Sequence, residues 1–111
     1  MADSVVLKDL INGGWKDLPF EPFKPGIEVH FLLRGEPEIA ILKYAPGASA
    51  PLHLHQAAES ILMLEGSQSD ARGTYVAGDF VINMEGSQHC VSSPEGCVVL
   101  LQWAKPVKFL A

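Results

Sequence analysis

The chain is expected to fold as one small antiparallel all-β domain, a sandwich or a barrel. Two observations predict this. From Ile27 to Trp103 the sequence is a succession of short β-type runs, each closed by turn residues at close, regular intervals. Ahead of that stretch, Pro19, Pro22 and Pro25 forbid a helix. A length of 111 residues fits a single domain with a small core.

Residues 1–18 carry a mild helical pattern, with Val5, Val6, Leu10 and Ile11 broken at Asn12-Gly13-Gly14. A short helix or an extended arm is expected there. The three prolines then favour an extended edge segment. The division is therefore an N-terminal arm over 1–26 and a barrel over 27–111. Within the barrel the expected strands are Ile27–Leu33, Ile39–Tyr44, Ser60–Glu65, Gly73–Val76, Asp79–Asn83, His89–Ser92 and Cys97–Trp103. Pro46-Gly47, Gly66-Ser67-Gln68-Ser69-Asp70, Ala77-Gly78, Glu85-Gly86-Ser87 and Pro94-Glu95-Gly96 read as turns between them. Residues 105–110 can add one more edge strand.

Inside that frame, His53, His55, Glu59 and His89 are spaced as ligands of one metal ion. Alternate residues of a strand face the same way, so His53 and His55 can both point inward. Glu59 shares its parity with Ile61 and Met63, and His89 opens a later strand behind a glycine turn. Three imidazoles and a carboxylate suit a divalent transition metal such as Fe, Mn, Ni or Zn, and can leave positions open for a ligand. Ile61, Met63 and Val91 share the inward parity and would line an apolar pocket. Met63 and Met84 read as packing residues. Cys90, next to His89, reads as a small buried residue facing away from the site, and His30 as a hydrogen-bonded or surface histidine.

Composition narrows the partners. Eight basic against thirteen acidic residues give a net charge of −5, with no Lys/Arg cluster. Nucleic acid is therefore not expected, since phosphate binding needs local positive charge. No signal peptide or membrane-spanning run is read, and Cys90 and Cys97 make no disulfide framework, so a cytoplasmic setting with free thiols is expected. An apolar content of 48% is high for so short a chain and fits a homodimer that covers apolar surface.

The residues also match a family pattern. Gly47, His53, His55, Glu59 and Gly66 fit the first motif of the cupin superfamily, G-x5-H-x-H-x3,4-E-x6-G, without a gap. Gly78, Gly86 and His89 fit its second motif, with Met84 in place of the usual Pro and Ser93 in place of the frequent Asn. The texture of Leu64-Glu65-Gly66, Asp70 to Tyr75, Gly86-Ser87-Gln88-His89 and Ser93 to Cys97 resembles the cupin domain of ChrR-type anti-sigma factors and stand-alone small cupins. Acetylacetone and dihydroxyacetophenone dioxygenases are similar in style. The resemblance implies an RmlC-like jelly-roll barrel (a double-stranded β-helix), a metal site and a dimer. No counterpart of the zinc-binding helical domain that grips the sigma factor in ChrR-type proteins is expected within residues 1–46, which hold no cysteine and only His30.

Three functions follow as expectations. The first is a mononuclear dioxygenase-type oxidoreductase acting on a small carbonyl or phenolic compound. The second is a non-catalytic metal-binding sensor or regulatory module. The third, a metal-free isomerase or epimerase, fits four intact ligands worst.

Overall fold

The computed structural model describes residues 3–110. A single 3-10 turn, Leu10–Asn12, precedes ten strands: β1 Glu21–Lys24, β2 Ile27–Leu33, β3 Glu38–Tyr44, β4 Ala48–Leu54, β5 Glu59–Asp70, β6 Gly73–Val76, β7 Phe80–Asn83, β8 Gln88–Ser93, β9 Cys97–Trp103 and β10 Lys108–Phe109. All pair antiparallel in the order β1-β2-β3-β9-β5-β8-β4-β10, with β6 and β7 also paired to β5. The sheet curls on itself, and its all-β, single-domain form is that of a cupin barrel.

β5 makes the curl possible. Its first half pairs with β7 and β9, and its second half with β6, touching β8 at Ser69↔Ser92. Between the halves sits Gly66, with φ +75°. A Cβ at this position would meet the carbonyl oxygen of Gly96 at 2.1 Å, so the kink requires glycine. This corrects the expectation of a turn over Gly66 to Asp70. Ser67 and Gln68 are buried strand residues, and the hairpin tip lies at Ala71-Arg72.

β4 was absent from the expected strands because Ala48-Ser49-Ala50-Pro51 has low β propensity. It pairs with β8 around an irregularity between Ala50 and His53, the kind of place where a strand tolerates Pro51. β10 adds to the free edge of β4, with Phe109 opposite His53.

The sheet formed by β2, β3, β9 and the first half of β5 is apolar on both faces. Inward, Leu42, Tyr44, Ile61, Met63, Val91, Val99, Leu101 and Trp103 form the barrel core. Outward, Ile41, Leu64 and Val98 pack against Trp15 of the N-terminal segment, flanked by Leu7, Leu10, Leu18 and Phe20. His30 Nδ1 lies 2.9 Å from the Pro19 carbonyl oxygen, a hydrogen bond that ties this segment to β2. Beyond the arm's reach Phe80, Ile82 and Met84 stay exposed, so Met84 is not the packing residue expected. Among the described residues no helix is long and apolar enough to cross a membrane.

Candidate metal centre

His53, His55, Glu59 and His89 converge inside the barrel. One ligating atom from each lies within 4.8 Å of all the others. His53 on β4 is the cross-strand partner of His89 on β8. His55 sits just past the end of β4, where its backbone N–H donates to the Ser87 carbonyl and its carbonyl accepts from Gly86 N–H. Glu59 opens β5 with Asn83 of β7 on one side and Trp103 of β9 on the other. His53, His55 and Glu59 are buried, and the His89 side chain is 8% exposed.

Hydrogen bonds fix where each ring carries its proton. His53 Nδ1 lies 2.7 Å from the Pro51 carbonyl oxygen, and His55 Nδ1 lies 3.0 Å from that of Ser87. His89 Nδ1 lies 2.9 Å from Oδ2 of Asp70. These oxygens only accept, so each Nδ1 donates, and a neutral ring then presents Nε2 as a bare lone pair. Ser87 Oγ, 2.9 Å from the same His55 nitrogen, gives its own hydrogen to the Met84 carbonyl and so accepts as well.

The consequence is clearest at His55. Its Nε2 is fully buried without a hydrogen-bond partner, yet it lies 3.0 Å from Oε1 of Glu59. A lone pair and a carboxylate oxygen repel at that distance unless a cation or a proton lies between them. Burial alone would raise the Glu59 carboxyl. Hydrogen bonds from Asn83 Nδ2 and Trp103 Nε1, with positive charge on the His55 side that the ring itself supplies only when its Nε2 carries a proton, bring the group below its ordinary value. At His53 burial leads and lowers the imidazole; the bond to Pro51 opposes this, and His89 adds to the lowering. With each Nδ1 hydrogen given away, three imidazoles and a carboxylate offer the donor set that a divalent transition metal takes. The four residues can hold such an ion.

The hydrogen bonds around the ligands use residues that the sequence did not single out. Asp70 also accepts from Tyr75 Oη at 2.9 Å and from Arg72 N–H at 2.8 Å, so it holds His89 from the hairpin tip. Ser93, standing where cupins often have Asn, donates from Oγ to the Ser67 carbonyl and braces β5 against β8. Asn83, Trp103 and Asp70 lie far from the ligands in sequence, and only the strand register would have revealed them.

The cavity beside the cluster has a volume of about 30 Å³. Ile61 and Val91 line it with His53, Glu59 and His89; Met63 is buried in the same apolar cluster but does not border the cavity. Phe23 of β1, Val107, and Phe109 on β10 also line it. The Phe109 ring lies 5.6 Å from that of His53, tilted by 60°, and Lys24 Nζ sits 4.0 Å from the Phe109 ring centroid. Cys90 does face away from the site, but onto an exposed groove, which corrects the expectation of a buried residue. Both cysteines are free.

Several solved structures share this fold. An acetylacetone dioxygenase from Acinetobacter johnsonii matches with a TM-score of 0.81 at 18% identity, over 100% of this chain and 79% of that one. Rhodobacter sphaeroides SigE in complex with the anti-sigma ChrR gives 0.76 at 23% identity, over 86% of this chain and 54% of that one. A cupin-like protein of unknown function from Ralstonia eutropha JMP134 gives 0.72 at 18% identity, over 78% and 59%. The chain therefore spans little more than half the length of the last two. A search of curated protein sequences finds no match. The model of the ChrR cupin-like domain matches residues 11–107, which is most of the chain. Sequence, barrel and buried cluster agree, and the chain belongs to the ChrR cupin-like family.

Proposed function

We propose that the protein is a mononuclear metal cupin in which His53, His55, Glu59 and His89 hold one divalent transition metal, and that this centre acts on a small carbonyl compound in an oxygenase-type reaction. The observation that carries the metal reading is the buried, unpartnered Nε2 of His55 set against Oε1 of Glu59. Three rings whose Nδ1 protons are already donated elsewhere keep their Nε2 lone pairs for a cation or a hydrogen-bond donor, and their convergence with Glu59 favours the cation.

A metal there supplies Lewis acidity toward an oxygen-bearing ligand. The chain's own residues do the rest. Asp70 and the Pro51 and Ser87 carbonyls orient the three rings. Asn83 and Trp103 hold Glu59. Phe23, Val107 and Phe109 add apolar wall to the cavity. Likeness to the acetylacetone dioxygenase over the whole chain supports the oxygenase reading.

The alternative, a non-catalytic sensor, draws on the ChrR family match and on the size of the cavity. A volume of about 30 Å³ has room for one or two water-sized groups. A phenolic ketone would enter only with β10 displaced. The test is oxygen consumption by iron-loaded protein given acetylacetone in air. Uptake that stops when His89 is replaced supports the enzyme. A full complement of metal with no uptake for any small carbonyl compound favours the sensor. We place the protein in the cytoplasm as a homodimer, with the outer stripe of Phe80 and Ile82 as the face for a second copy.

A further inference from the structure

Two side chains of the cavity wall have no part in holding the metal. Tyr44 of β3 and Gln68 of the second half of β5 border the same space as His53, Glu59 and His89. They are 6% and 5% exposed, and the wall around them is otherwise apolar, with Leu42, Ile61, Val91 and Leu101. Buried hydroxyls and amides almost always have partners. Gln68 is one neighbour that acts on the Tyr44 hydroxyl, beside the Cys97 thiol and the Glu59 carboxylate. The pairing with Gln68 does not satisfy both. A tyrosine brings one O–H and a glutamine two N–H groups, and one hydrogen bond between them uses one of the three. If the hydroxyl donates to Oε1, both hydrogens of Nε2 remain. If Nε2 donates to the hydroxyl, the O–H remains, along with one N–H. Either arrangement leaves two donor hydrogens that the pair itself does not use, on side chains that border the cavity.

We infer that Tyr44 and Gln68 form a hydrogen-bond-donating subsite for a second oxygen of the ligand, whose first oxygen sits at the metal position. This rests on the metal reading and narrows its ligand class. A cation and a donor pair both call for oxygen acceptors, so the ligand carries two of them. The apolar wall suits a short alkyl portion. The volume of about 30 Å³, room for one or two water-sized groups beside an oxygen at the metal position, admits only the smallest such molecule. A short-chain carboxylate or the smallest oxo acid meets all three conditions. An aromatic ring does not.

The probe is sodium acetate added to cobalt-substituted protein, followed by the visible absorption of the ion. Acetate should perturb the spectrum of the parent chain. Tyr44→Phe and Gln68→Leu should each bind a full complement of cobalt yet weaken acetate binding roughly tenfold, the scale of a hydrogen bond to a charged group. Gln68→Glu, isosteric but with an acceptor in place of the amide donors, should abolish it. This variant also decides the matter should either of the first two fail to fold. Unchanged acetate affinity in these variants overturns the subsite while leaving the metal centre standing, as does a parent chain that binds cobalt but never responds to acetate. A parent chain that takes up no cobalt refutes the metal reading, and the subsite falls with it.

Discussion

The two faces of one sheet serve opposite ends. On its outer face Ile41, Leu64 and Val98 meet Trp15 and the leucines of the N-terminal segment. On the inner face, strands β5 and β9 run through an equally apolar core into Glu59, Trp103 and the three histidines. The outer cluster only packs. The inner one carries buried polar groups whose geometry is costly unless a ligand completes it. Stability and metal binding should therefore be separable: damage to the outer face unfolds the chain, and damage to the inner face empties the site.

The largest effect on stability should come from Trp15→Ala. Deleting a buried tryptophan costs about 3–5 kcal/mol. Urea unfolding would show this as a lower midpoint, while the folded fraction keeps its metal stoichiometry. A variant that unfolds no more readily than the parent would break the distinction from the outer side. His89→Ala is the inner counterpart. Its metal content should collapse while the far-UV circular dichroism stays that of the parent, because the barrel has its own apolar core. Loss of the β spectrum in that variant would mean that the metal holds the fold together.

Asp70→Asn is a finer cut. It removes the carboxylate that orients His89 but spares every ligand, so metal affinity, read by competition with a chelator, should fall roughly 10–100-fold. Unchanged affinity would reduce Asp70 to a residue of the hairpin tip.

The two thiols test the inner and outer faces with the smallest change. Cys90, exposed on the groove side of β8, should react with iodoacetamide in the native protein, and Cys90→Ser should keep the metal. Cys97 is buried, and burial pushes its thiol up, with the neighbouring Ser93 hydroxyl pulling the other way. The fold thus prefers the neutral thiol. That contribution to stability is complete below the ordinary value of 9.0 and is lost as pH rises through the higher folded value. Thermal melts should therefore fall off more steeply above pH 9 in the parent than in Cys97→Ala. Equal slopes would dismiss the effect.

How much of this the sequence disclosed follows from what local spacing encodes. His53 and His55 are two apart and Glu59 follows after a short loop, so one stretch of chain already places three of the four groups. The glycines on either side of His89 and Glu59 mark the hairpins that bring the fourth. Strand register, by contrast, is set by pairing across the sheet. The partners of Glu59 lie 24 and 44 residues away in sequence, at Asn83 and Trp103. Asp70 lies 19 residues from His89. β5 looked like two segments because Gly66 reads as a turn, when its positive φ is a kink inside one long strand. β4 was hidden by Pro51, which the irregular pairing with β8 accommodates.

The central claim is that the four side chains hold one metal ion. The most direct measurement is elemental analysis of protein purified without chelators or a histidine tag, beside His89→Ala prepared the same way. The account predicts close to one equivalent of a divalent transition metal in the parent and almost none in the variant. A parent chain that is folded, carries no metal and takes none up from Fe(II), Mn(II), Ni(II) or Zn(II) would contradict it.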